Sequence, residues 1–145
     1  DEAFAGGCLA ISAAKVALPA RSVEEPATSM IRLRARLLPA VPPAPSEEGP
    51  ELLLVGGETN PGVLANDLAS RLKGSGSATV GGMGAVATSR AIKALMIAKV
   101  YLGKTLGSHA ELLAVPQLEV LEVNGQERWR MVLNCLVWDD SLRVL

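Results

Sequence analysis

The sequence predicts a two-layer α/β sandwich of order β-α-β-α-β-β, preceded by an N-terminal extension. Three observations carry this reading. Short apolar runs closed by glycines, Leu52–Val55 and Ala78–Val80, each lead into a stretch with helical apolar spacing. Asn124-Gly125, the strongest short hairpin signal, joins two long strand-like runs. Five of the nine prolines fall between Pro39 and Pro50, which sets residues 1–38 apart from residues 51–145.

Residues 1–38 are too few to bury a core of their own and read as an extension. Within it, Ile31, Leu33 and Leu37-Leu38 alternate with Arg32, Arg34 and Arg36. Period two predicts an extended segment with one apolar and one basic edge. Residues 1–38 are therefore expected to be a docking tail, covered by a partner if ordered. Residues 39–50 should run extended as a semi-rigid linker.

In the remainder, Leu52–Val55 reads as a buried strand. Thr59 or Asn60 is the N-cap of the first helix, and Pro61 sits where a first turn accepts proline. Val63, Leu64, Leu68 and Leu72 give its apolar face, and Gly74-Ser-Gly76 ends it. Ala78–Val80 is the second strand and runs into Gly81-Gly82-Met83-Gly84. A second helix is expected from about Ala87 to Leu102, with a wide face of Ala91, Ile92, Leu95, Met96, Ala98 and Val100 and a stop at Gly103. Glu111–Val123 is a strand in which Pro116 marks a start, edge or bulge. Arg128–Trp138 then alternates, with Trp129, Met131, Leu133, Cys135 and Val137 on one face.

Composition excludes several function classes. The chain has 145 residues, 49% apolar and 20% charged, enough for one core and unlike a disordered chain. Aromatics are 3%, namely Phe4, Tyr101, Trp129 and Trp138, which argues against a base-stacking platform. Net charge is −1, and residues 51–145 hold nine bases against nine acids, so the footprint of a strong phosphate binder is missing. Cys8, Cys135 and the single His109 lack the paired spacing of a zinc site and read as two free thiols and a loop histidine. No metal, cofactor or catalytic residue is expected, and an enzyme is not. Asp139-Asp140 reads as a strand end.

No transmembrane span is expected: Ala3–Pro19 contains Lys15 and is too short. The chain opens on Asp1-Glu2 and not on Met, as expected of a processed or truncated product. Met30–Leu38, with three arginines and no acid, has the flavour of an organellar presequence, although it is internal. The expected setting is intracellular, in a plastid or mitochondrion, with peripheral attachment where a membrane complex is involved.

Two surfaces carry candidate sites. Gly82 and Gly84, leading through Thr88 and Ser89 to Arg90 and Lys93, have the elements of an anion or nucleic-acid site at a helix start. The run lacks both the Gly-Lys-Ser/Thr ending of a P-loop and the dinucleotide fingerprint, and a tight, closely packed strand-to-helix turn is the simpler reading of it. A wider basic set adds Arg71, Lys73, Lys99 and Lys104. The partner-docking set is Ile31, Arg32, Leu33, Arg34, Arg36 and Leu37, with Trp138. Trp129 and Trp138 are nine residues apart, so an unbroken strand puts them on opposite faces and leaves one seeking cover.

Gly84-Ala85-Val86, Arg90-Ala-Ile-Lys-Ala-Leu-Met-Ile-Ala-Lys99 and Tyr101-Leu102 resemble the glycine turn and second helix of the stage V sporulation protein S (SpoVS) family. Asn60-Pro61-Gly62-Val63-Leu64-Ala65 and Asn124-Gly125-Gln126-Glu127-Arg128 match it at the first helix and last hairpin. The resemblance covers residues 51–138. It implies an Alba-like fold, homodimerisation and a nucleic-acid-binding heritage, with no enzymatic activity. Three features depart from the family pattern. The turn before the second helix looks about two residues longer, at Ala87-Thr88-Ser89. Glu58 stands where the family has a base. The extension lies outside the pattern. The expected function is a structural or docking subunit of a larger protein complex, with RNA or DNA binding as the alternative.

Overall fold

The computed structural model of the chain describes residues 8–18, 28–38, 52–103 and 110–139. The elements are β1 (Cys8–Leu18), β2 (Thr28–Leu38), β3 (Leu53–Val55), α1 (Pro61–Ser75), β4 (Ser77–Gly82), α2 (Gly84–Tyr101), β5 (Ala110–Val123) and β6 (Gln126–Asp139). They form one mixed six-stranded sheet in the order β2-β1-β5-β6-β4-β3. Among the described strands only β3 and β4 pair in parallel, with α1 as their crossover.

The β-α-β-α-β-β order holds within residues 53–139, but two strands precede it. The first 38 residues contribute a hairpin, β1–β2, registered from Cys8 opposite Leu38 to Leu18 opposite Thr28. Ile11 pairs with Ala114 and joins that hairpin to β5. The expectation that a partner must cover this segment is therefore corrected. The chain's own sheet supports β1, and Ala10, Ala13 and Leu38 are buried in it. The Ala-rich composition of β1 hides this strand from propensity rules; long-range pairing makes it. The proline-rich segment 39–50 lies outside the described residues, as do Lys104, His109 and Asp140.

Both helices lie on one face of the sheet. Leu64, Leu68 and Leu72 of α1 and Ala91, Leu95 and Ala98 of α2 pack with Val80, Leu112, Leu133 and Cys135 into the main core. Ile11 and Ile31 of the hairpin pack against it. Leu113 and Val115, pointing oppositely to Leu112 and Ala114, form a second cluster with Ala10 and Leu38, flanked by Cys8, Leu136 and Trp138. Val63 and Val100, expected on helix core faces, are instead exposed.

Local chemistry explains the boundaries. Asn60 caps α1, its Oδ1 accepting from the amides of Gly62 at 2.8 Å and Val63 at 3.3 Å. Pro61 occupies the first turn, and Gly76 closes the helix in the left-handed region (φ 82°). Asn124 (φ 53°) and Gly125 (φ 78°) make the two-residue turn between β5 and β6 with both central residues at positive φ. Pro116 sits inside β5 opposite Leu133 in an uninterrupted register, so the expected start or bulge is absent there.

Candidate functional site: an open sheet edge and an exposed ribbon

Helix α2 begins at Gly84, three residues before the expected start, and the Ala87-Thr88-Ser89 insertion lies within its opening turns rather than in a longer loop. Met83 precedes it without a side-chain cap. Gly82 is required by packing. A Cβ there would stand 2.9 Å from the Ala87 Cβ and 2.9 Å from the Val55 carbonyl oxygen. Its absence lets α2 approach β3 and β4.

The proposed anion-site residues do not converge. The Thr88 hydroxyl donates to the Gly84 carbonyl of its own helix at 2.9 Å. Arg90 donates from Nη1 to the Thr59 carbonyl at 2.9 Å, tying α2 to the loop before α1. Its Nε is buried without a hydrogen-bond partner among the described residues. Ser89 and Lys93 are exposed one turn apart. They border different grooves: Ser89 faces Ile31 and Leu33, whereas Lys93 faces Lys15, Pro61 and Gly62.

The docking-set residues sort cleanly by face. Ile31 packs on the main core, with Leu33 and Leu37 exposed on the same side of β2. Arg32, Arg34 and Arg36 alternate onto the opposite side. Arg36 is ion-paired to Glu111 of β5 at 2.9 Å. Arg32 and Arg34 are exposed. β2 is the terminal strand of the sheet, so its outer edge is open among the described residues.

The tryptophans do lie on opposite faces, but the exposed one is Trp129 and not Trp138. Trp138 is half-buried against the second cluster. Trp129 is 59% exposed, opposite Val120 in the distal half of the β5–β6 hairpin. Leu118 and Val120, exposed on the same face, extend this apolar ribbon, with the half-buried Met131 opposite Leu118. On the ribbon's other face Arg130 pairs with Glu119. Counting outward from the Asn124-Gly125 turn would have put Val120 beside Trp129, and that register was the signal available in the sequence.

The thiols occupy separate environments. Cys135 is in the main core, where burial pushes its pKa up to about 12. Cys8 flanks the second cluster on the other face of the sheet, and burial raises its pKa as well. Among the described residues, no group of three or more His, Cys, Asp or Glu could hold a metal ion. Among the described residues, no helix is long and apolar enough to cross a membrane.

Fold and surface together define a mixed α/β protein with a sheet backed by helices on one face, a long open edge at β2 and an exposed apolar ribbon at β5–β6 among the described residues. The family model for Stage V sporulation protein S (SpoVS) matches residues 51–137, more than half of the chain. The chain belongs to that family.

Proposed function

We propose that the chain is a non-catalytic subunit with an Alba-like core, acting as a structural or docking component of a larger protein complex in a plastid or mitochondrion. The observation that carries this reading is the β5–β6 ribbon, which leaves Leu118, Val120 and Trp129 uncovered on one face. A contiguous exposed apolar surface of this kind favours protein contact. The balanced charge of residues 51–145 supports protein over nucleic acid. A deeply buried, protonated Cys135 is a poor nucleophile, in keeping with a role other than catalysis.

The test is isolation of the tagged full chain from its native source under mild conditions, followed by nuclease treatment and sizing. A nuclease-resistant assembly with protein subunits in fixed ratio is expected. Elution at the mass of the chain alone, or collapse of the assembly on nuclease treatment, would overturn the reading.

RNA or DNA binding is the second reading, favoured by Ser89 and Lys93, both exposed one turn apart on α2. It requires salt-dependent binding with a slope that flattens in Arg90→Glu plus Lys93→Glu. Lack of binding to either nucleic acid at low salt removes it.

A further inference from the structure

We propose that the outer edge of β2 receives an extended segment of a partner protein as a seventh strand, one that alternates acidic and apolar side chains. This rests on the docking reading above and names the chemistry of one partner. β2 is an eleven-residue strand at the end of the sheet, and a strand of that length with an open edge presents a row of main-chain donors and acceptors. Its two faces differ sharply. On the helix side, Ile31 and Leu33 border an apolar groove of about 430 Å³ whose other wall is Ala85, Thr88, Ser89 and Ile92 of α2. On the opposite side stand Arg32 and Arg34, both exposed.

An added strand lies about 4.8 Å from β2, and its side chains alternate between the same two faces. Its apolar side chains would enter the groove, while acidic ones two residues apart would face Arg32 and Arg34, which have the same spacing. Opposite charges directly across a strand pair attract. A second copy of the chain fits less well. A twofold pairing of two β2 edges that keeps the helices on one side sets the arginines of both copies on a common face, where like charges repel. Nucleic acid and anionic lipid would satisfy the arginines but leave the backbone edge and the apolar groove unused.

The experiment measures fluorescence anisotropy of the full chain with a labelled eleven-residue peptide alternating glutamate and valine. The controls are a lysine–valine counterpart and a glutamate–valine peptide N-methylated at alternate amides. The glutamate peptide should bind at least about tenfold more tightly than the lysine peptide, equivalent to about 1.4 kcal/mol. N-methylation should abolish binding, and hydrogen exchange across residues 28–38 should slow in the complex. Arg32→Glu plus Arg34→Glu should invert the charge preference, and Arg32→Gln plus Arg34→Gln, checked for an unchanged melting temperature, should flatten it. Equal binding of both charges, indifference to N-methylation, or binding only of oligouridylate or phosphatidylglycerol vesicles would overturn the proposal. The native assembly separates the two levels. An assembly that survives the double Glu variant removes the edge proposal and leaves the docking reading standing. Absence of an assembly with the unaltered chain removes both.

Discussion

At Gly82 a single methyl group would meet Ala87 and the Val55 carbonyl oxygen at 2.9 Å, with backbone on one side and a helix on the other. Neither can yield cheaply, so Gly82→Ala should destabilise by about 1–3 kcal/mol in urea unfolding, the range for overpacking. Gly74 is the opposite case. It lies within α1, and a Cβ there meets nothing within 4 Å. Gly74→Ala should stabilise by about 0.5–1 kcal/mol through helix propensity. Equal effects of the two changes would contradict the close approach of α2 to β3 and β4. Cys135 gives a pH prediction. Its thiol stays protonated in the fold up to about pH 12, against an ordinary value of 9.0. Between these the unfolded state has lost the proton that the folded state keeps, so stability falls as pH rises, by about 1.4 kcal/mol per unit. Comparing the alkaline unfolding of Cys135→Val with the native chain isolates this slope, which the variant should lose. In thiol labelling, Cys8 should react in the folded protein and Cys135 only on unfolding.

At the scale of elements, α1 depends on the Asn60 cap, and Asn60→Ala should cost about 1 kcal/mol, read from the shift in urea midpoint at constant slope. An unchanged midpoint would mean the cap is replaced by solvent. Elements with self-contained chemistry were legible in the sequence. Asn60-Pro61 starts α1, Gly76 ends it, and Asn124-Gly125 turns β5 into β6, because each carries its backbone preference in its own side chain or in the lack of one. The start of α2 was not legible. Val86 is a weak helix former that packing of α2 overrides, and Gly84 enters the helix at φ 85°, a left-handed value that glycine adopts freely. Likewise β1 has alanine or serine at Ala10, Ser12, Ala13, Ala14 and Ala17, which favour no strand, and the pairing that ties it to the sheet, Ile11 with Ala114, spans most of the sequence. The site followed the same division. The alternation of Ile31, Arg32, Leu33 and Arg34 was visible, but the attachment of β2 to the chain's own sheet, and hence its open outer edge, depended on β1. Arg36 is partly withdrawn from that surface by Glu111, a partner 75 residues away.

At the scale of the molecule, the hairpin belongs to the sheet and covers one edge of β5. Removing residues 1–38 would uncover Leu113, Ala114 and Val115, all buried in the intact chain. The truncated chain should melt at lower temperature and scatter light on standing, because an exposed apolar strand edge recruits other chains. A truncated chain with the melting temperature and sedimentation of the full chain would show the hairpin to be dispensable. For the same reason loss of an assembly on truncation cannot be assigned to β2 alone, and substitutions at Arg32 and Arg34 are the cleaner probe.

The pairing of Ile11 with Ala114 also orders events in time. During synthesis β1 and β2 precede β5, and the strand they join is made 103 residues after Ile11. At about 5–20 residues per second that is a wait of roughly 5–20 s, far longer than a hairpin takes to form. For that interval the hairpin lacks the β5 edge that it joins in the finished sheet. Over that stretch the exposed Arg32 and Arg34 put like charges along β2, an arrangement that opposes edge-to-edge pairing of like strands.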